Sequence, residues 1–221
     1  MNWVVDDIIV EVEHRSVRSL RLTIYPDGRV KLVIPYFTTE SQARQFLLSK
    51  NVWLKNKLSQ INERKQVEQD ESKVMLFGQW LPIVQTQVSG SIGVVRFADE
   101  LRLYCRLDTS KQQKKAMIDA YLRNELYKYL TLSVERYRVE FQEKTVTWKI
   151  RNMKTEWGSC MAKKRSLLFN LQLAHKPFSL IDYVVVHELC HLQVQNHGPQ
   201  FKQLMTQRMP DWEIRKKRLN N

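Results

Sequence analysis

The segment from Leu180 to about Gln195 constrains the fold of this chain more than any other. Its apolar residues recur at helical spacing and cover nearly the whole circumference, which is typical of a helix inside a protein. The segment also contains His187, Glu188 and His191, and burying these polar side chains is costly unless they have a partner. The sequence therefore predicts a buried helix, opened by Ser179-x-x-Asp182, with a polar site. The apolar positions are Leu180, Ile181, Val184, Val185, Leu189, Leu192 and Val194.

The spacing of the histidines indicates a metal site. Residues four apart on a helix lie one above the other, so His187 and His191 direct their imidazoles at one point. His197 follows six residues after His191, where Asn196 can end the helix, and it is the third candidate ligand. Three histidines leave the fourth position of a tetrahedral zinc shell open for water, as in catalytic rather than structural sites. We predict one zinc ion per chain, held by His187, His191 and His197.

Glu188 is the candidate catalytic residue. It neighbours the first ligand without sharing its direction, so it can contact a water on the metal. Zinc lowers the pKa of such a water, and a carboxylate can accept its proton as it attacks a carbonyl. Metzincins have the same histidine spacing but a glycine at the position of Val194, so we expect this chain to turn later, at Asn196.

A short segment upstream of the helix is expected to lie near the site. Residues 145–153 and 167–173 are predicted strands, joined by a tight turn that contains Trp157, Gly158, Ser159 and Cys160. We expect Trp157 to pack and Ser159 to shape the turn. Cys160 is predicted to be a turn residue, a nucleophile or a metal ligand, and the sequence leaves these alternatives open.

Substrate contacts can be predicted less sharply. A strand edge beside the metal often pairs with an extended peptide, and residues 167–173 are our candidate for that strand. Asn170 on this strand either faces the site or has a structural role. Tyr183, one turn before His187, either packs or stabilises an oxyanion. Cys190 is expected to be an apolar filler of the helix.

The rest of the chain indicates an α+β protein with two parts. Residues 1–108 form a β-rich N-terminal half with one helix at about 39–64, and residues 109–221 form an α+β half that carries the chemistry. A hairpin is predicted at Pro26-Asp27-Gly28. Capping boxes are predicted at Thr39-x-x-Gln42 and Ser110-x-x-Gln113, and a helix is predicted to begin at Gly198-Pro199.

Composition bears on partners and compartment. There are 36 Lys and Arg against 23 Asp and Glu, a net charge of +13 that favours anionic partners such as nucleic acid, or else a solvated basic surface. No apolar run reaches the roughly 18 residues of a membrane span. The N-terminus lacks the pattern of a signal peptide, and three dispersed cysteines suit a reducing compartment, so we expect a cytoplasmic protein.

Several short motifs follow one another along the chain: the segments 15–20 and 26–29, Pro35, Trp53, Gly78, the segment 155–160, Asn170, Pro177, and the run 182–191 with Asn196-His197. In this order they resemble the YgjP-like metallopeptidase family, which is similar more distantly to SprT-like and WLM zincins. The resemblance implies a zincin-like, minigluzincin-type C-terminal half, with zinc ligands at His187, His191 and His197 and a base at Glu188. Lys202 stands where the family usually has an aromatic residue after Phe201.

These observations leave three functional hypotheses. The first is a zinc metallopeptidase that cleaves peptides or unfolded protein segments. The second is a metal-dependent hydrolase of a phosphorylated small molecule such as a nucleoside triphosphate, although magnesium-dependent phosphate chemistry usually needs clustered carboxylates. The third is a peptidase that acts on DNA-bound proteins, motivated by basic residues around Lys163 and Arg215.

Overall fold

The computed structural model describes residues 1–25, 27–69 and 71–220, and of residues 63–69 it describes the backbone only. The chain forms two compact units, Met1–Glu71 and Ser72–Asn221. Both mix helices with strands, which confirms the predicted α+β class. None of the helices in the described residues combines the length and the apolar character that a membrane span requires.

In its described residues, the first unit consists of a four-stranded sheet and two helices. Its strands have the order β1-β2-β4-β3, in which β2 and β4 are parallel and the other pairs antiparallel. Buried residues such as Val10, Leu32 and Leu47 form its core. The elements are β1 (Asn2–Val5), β2 (Ile8–Arg15), β3 (Arg21–Ile24), β4 (Val30–Pro35), α1 (Glu40–Ser49) and α2 (Asn51–Gln69).

Local signals in this unit were partly predictive. The β3–β4 hairpin is confirmed, with Gly28 at φ +84°, although Pro26 of the predicted turn lies outside the described residues. The capping box of Thr39 and Gln42 is confirmed. The single helix predicted at about 39–64 is instead two helices, because Lys50 leaves helical geometry with φ −102° and ψ 1°.

The second unit contains two sheets and four α-helices in its described residues. One sheet has the order β5-β6-β8-β7 and the other β10-β11-β9, while short 3₁₀ turns follow β10 and β11. The elements are β5 (Lys73–Leu76), β6 (Gln79–Gln87), β7 (Gly93–Phe97), β8 (Glu100–Cys105), α3 (Lys111–Glu140), β9 (Thr147–Arg151), β10 (Gly158–Met161), β11 (Ser166–Asn170), α4 (Phe178–Cys190), α5 (Pro199–Arg208) and α6 (Trp212–Asn220).

The boundary between the units lies earlier than the predicted division at residue 108. Leu81 and Leu101 of the β5–β8 sheet belong to the same hydrophobic core as Leu122 and Leu126 of α3. Because the β5–β8 sheet and the C-terminal elements bury their side chains in one core, they belong to the same unit. The sequence changes character only near Asp108, which is why the division was predicted there.

Helix α4 is the centre of the second unit. Val185, Val186 and Leu189 are fully buried, as the apolar circumference predicted. Two details of the prediction were wrong. The helix begins at Phe178 after Pro177, not at a Ser179 cap, and it ends at Cys190 instead of about Gln195. The following residues form a tight turn in which Leu192 and Gln193 donate backbone hydrogen bonds to carbonyls of the last helical turn, so the chain turns before Asn196.

Asp182 does not cap α4 but fastens it to α3. Its carboxylate accepts hydrogen bonds from the hydroxyls of Ser133 (2.6 Å), Tyr129 (2.8 Å) and Tyr137 (3.3 Å). Burial raises the pKa of both tyrosine hydroxyls, with Asp182 adding to the effect, so they remain donors at ordinary pH. The three contacts fix the rotation of α4 and with it the direction of its histidines.

We expect Asp182→Ala to lower the free energy of unfolding by about 1–3 kcal/mol, because it removes the acceptor of the buried Ser133 and Tyr137 hydroxyls. Urea denaturation followed by circular dichroism measures the change. Asp182→Asn is the matched control, since it keeps one carbonyl oxygen and should be milder. Equal midpoints for the wild type and Asp182→Ala would show that the cluster does not hold the helix.

Candidate metal centre

Three imidazole nitrogens converge at the end of α4. The Nε2 atoms of His187 and His191 are 3.2 Å apart, those of His191 and His197 are 3.2 Å apart, and those of His187 and His197 are 3.0 Å apart. His187 lies in α4, His191 ends it, and His197 comes from the loop before α5. Among the described residues, this is the one group of His, Cys, Asp or Glu side chains placed to hold a metal ion.

The donor set fits zinc. Imidazole nitrogens at about 2.0–2.1 Å from a tetrahedral zinc ion stand roughly 3.3 Å apart, close to the observed separations. Burial above all, then the neighbouring His191 and His197, lowers the pKa of His187 to about 3, and burial lowers that of His191. The two rings are therefore neutral near pH 7, the form that ligates a metal.

Protein contacts orient the rings. His191 Nδ1 lies 3.0 Å from the Val194 carbonyl oxygen, so the Nδ1 proton is donated there and Nε2 keeps its lone pair. The buried ring of Phe201 contacts all three imidazoles, at centroid distances of 5.0, 4.6 and 4.7 Å for His187, His191 and His197. Phe201 therefore supports the triad from behind, and Lys202 after it is exposed.

Glu188 lies beside the triad in the wall of the same pocket. It is 4% exposed, and within the described residues its carboxylate has no hydrogen-bond partner. Burial, with a smaller contribution from Glu156, raises the pKa of this carboxyl to about 8. A nearby cation would lower that pKa again. An unpartnered carboxyl of this kind can take up and release a proton.

Gly158 is the residue that makes room for Glu188. A Cβ placed on Gly158 would lie 2.6 Å from Glu188 Oε1 and 2.8 Å from its Cγ, closer than nonbonded atoms approach. The close approach brings strand β10 directly against the carboxylate. This contact could not be predicted from sequence, because the partners are 30 residues apart and nothing in the local pattern around Gly158 points to α4.

The strand at the site differs from the predicted one. Residues 158–161 are the strand β10, not a turn, and β10 lies at the edge of its sheet. The predicted substrate strand, β11, is central, paired with β10 on one side and β9 on the other. Residues 155–164 line the pocket without interruption, so the whole of β10 and both its flanks face it.

Asn170 does not reach the pocket. Its side-chain amide donates hydrogen bonds to the carbonyls of Met153 (2.9 Å) and Glu156 (2.7 Å), and its Oδ1 accepts from the backbone of Gln172 (3.1 Å). The side chain is 4% exposed. Asn170 therefore holds the loop that leads into β10, which is the structural alternative considered from sequence.

The remaining predicted residues do line the pocket. Burial, then the charge of Glu188, raises the pKa of Cys160 to about 11, which disfavours a nucleophilic thiolate, and Cys160 lies outside the histidine group. Trp157 packs under Lys176, whose Nζ is 5.0 Å from the ring centroid. Ser159 lies on β10. Tyr183 is buried with its ring 5.8 Å from that of His187, and burial raises its pKa to about 12.

Comparison with known families agrees with this geometry. The YgjP-like metallopeptidase domain matches residues 18–221, which is nearly the whole chain. The chain belongs to the YgjP-like metallopeptidase family. The matched range spans parts of both units and includes every residue of the pocket.

Solved structures similar to this YgjP-like protein are also metallopeptidases. The zymogen of abylysin from Pyrococcus abyssi is 16% identical, with a TM-score of 0.38, over 41% of this chain and 90% of that one. The zymogen of jannalysin from Methanocaldococcus jannaschii is 19% identical, with a TM-score of 0.36, over 42% of this chain and 97% of that one. No curated protein matches the chain. The family assignment depends on the sequence match alone.

Proposed function

We propose that this YgjP-like protein is a zinc peptidase, with the metal bound by His187, His191 and His197 and with Glu188 as the general base. The observation that carries the proposal is the convergence of three Nε2 atoms, 3.0–3.2 Å apart, beside a buried carboxylate without a hydrogen-bond partner. Membership of a metallopeptidase family supports the reaction class.

The residues of the site have distinct parts in such a reaction. Zinc, when bound, supplies Lewis-acid activation of a water molecule and of the substrate carbonyl. Glu188 takes a proton from the attacking water as the C–O bond forms. It then gives that proton to the amide nitrogen as the C–N bond breaks, so that a carboxylate and an amine leave. Phe201 and the Val194 carbonyl keep the imidazoles directed at one point throughout.

The substrate is expected to be an extended peptide or an unfolded segment. In the described structure β10 has a neighbouring strand on one side only, and all four of its residues line the pocket. An extended chain can pair with such an edge through main-chain hydrogen bonds, whatever its side chains. Because Gly158 brings β10 against Glu188, a peptide on this edge would carry its backbone past the carboxylate.

Removal of the metal tests the proposal. We expect about one zinc per chain by elemental analysis, and a chelator should abolish hydrolysis of an unfolded protein substrate until zinc is returned. His191→Ala should lose most of the metal, because it removes one of three ligands. Activity that persists in metal-free protein would refute the proposal.

The two alternatives from sequence stay predictions. A nucleotide hydrolase would have to work with Glu156 and Glu188 as the acidic residues of the described pocket, which does not resemble the carboxylate cluster of a magnesium site. A panel of nucleoside triphosphates, assayed for released phosphate and pyrophosphate, separates this reading from peptide hydrolysis.

A further inference from the structure

Two lysines stand at one end of the pocket beside the edge strand. Lys163 and Lys164 follow β10 in a short 3₁₀ turn and line the same pocket as Glu188. Both side chains are exposed, and neither forms an ion pair with any residue that the structure describes. Their positive charge is therefore available to a ligand in the pocket.

The turn that carries these lysines is held in place. Arg165, in left-handed geometry at φ 47°, ends the turn and donates hydrogen bonds to the Glu143 carboxylate (2.8 Å) and the Lys144 carbonyl (2.9 Å). The Arg165 carbonyl also accepts from the Thr147 backbone at 3.0 Å. The backbone positions of Lys163 and Lys164 are thus fixed relative to the sheet.

Charge is distributed unevenly along the strand. Glu156 precedes β10 and lines the pocket at its other end, so the pocket has a carboxylate before Gly158 and two ammonium groups after Met161. A strand advances about 3.3 Å per residue, so Met161, the residue after which the turn with the two lysines begins, lies roughly 10 Å beyond the point where Gly158 meets Glu188. A peptide along β10 would present side chains to them several residues from the cleaved bond.

We propose that this protein prefers peptides with acidic side chains three to five residues to one side of the cleaved bond, bound by Lys163 and Lys164. The inference rests on the proposed peptidase function and adds its substrate class. An acidic peptide fits better than nucleic acid, because the lysines lie in the turn directly after β10, and the edge of β10 offers main-chain hydrogen bonds to a polypeptide.

The test uses decapeptides of Gly, Ser, Ala and Leu that carry a Glu-Glu pair at each position in turn. For the zinc-loaded wild type, we expect kcat/KM to rise about three- to tenfold when the pair lies on one side of the cleaved bond, as for exposed ion pairs. Lys163→Glu with Lys164→Glu should reverse the preference toward Lys-Lys peptides, and Lys163→Arg with Lys164→Arg should keep it. The matched control is Lys115→Glu with Lys149→Glu, an equal change of charge on exposed lysines of α3 and β9 outside the pocket, which should leave the preference intact.

Fluorescence anisotropy of the same peptides on the Glu188→Gln protein separates the two proposals. One possible result is that acidic peptides bind more tightly, that this depends on Lys163 and Lys164, and that the wild type hydrolyses none of the peptides. This result would support the charged subsite and refute the peptidase function. Hydrolysis with equal kcat/KM for every placement would refute the subsite alone. Displacement of the peptides by an oligonucleotide at lower concentration than by a Glu-rich peptide would also overturn it, in favour of nucleic acid.

Discussion

Glu188→Gln is expected to lower kcat for peptide hydrolysis by about 10²–10⁴-fold, the usual contribution of a general acid–base residue. Glutamine has nearly the same shape but cannot accept the proton of water, so the pocket should persist while the proton transfer fails. Zinc content should stay near one per chain, because Glu188 is not among the converging ligands. Single-turnover kinetics and elemental analysis on the same preparation measure both quantities.

Glu156→Gln is the control for this experiment. It removes a carboxylate from the same pocket but not from beside the histidines, so we expect a loss of less than tenfold. If Glu188→Gln kept wild-type kcat with zinc bound, Glu188 would not be the base, and the proton would need another acceptor.

Gly158→Ala is expected to cause the second largest loss, about 10–10²-fold in kcat/KM. The added methyl group would meet Glu188 at 2.6–2.9 Å, so either β10 or the carboxylate must move. A displacement of about 1 Å is sufficient to misplace a catalytic group. Steady-state kinetics and a crystal structure of the variant measure the effect.

The cause can be isolated in a Glu188→Ala background. The clash should lower the thermal denaturation midpoint of the Gly158→Ala protein, but not when Glu188→Ala has removed the obstructing carboxylate. Backbone strain does not complicate this comparison, because Gly158 is a strand residue without a positive φ. A similar loss of stability in both backgrounds would show that the methyl group disturbs something other than Glu188.

The sequence predicted those features that repeat along the chain or sit within a few residues of one another. His187 and His191 are one helical turn apart and His197 follows closely, so their convergence depended little on the tertiary fold. The capping boxes at Thr39 and Ser110 and the helix begun by Pro199 are local in the same way, and the structure confirms them.

Features that depend on distant partners could not be predicted. The sequence could not show that β10 lies at the sheet edge and β11 at its centre, since the order depends on β9 pairing with β11 in parallel. Gly158, next to Trp157, was predicted to lie in a turn. It is a strand residue, and its lack of a side chain allows Glu188 to pack against the strand. The sequence left a substrate-binding role and a structural role for Asn170 equally open. Its structural role depends on the carbonyls of Met153 and Glu156, which lie 17 and 14 residues away along the chain.

His187 and His191 lie at the end of α4, and His197 lies in the short loop that connects α4 to α5. His187 and His197 are ten residues apart, and Phe201 of α5 lies against all three rings. A metal ion bound by the three histidines would crosslink this short connection, as a disulfide crosslinks a loop. Its binding free energy would also stabilise the packing of α5. Zinc supply would then govern the local order of one wall of the pocket as well as its chemistry.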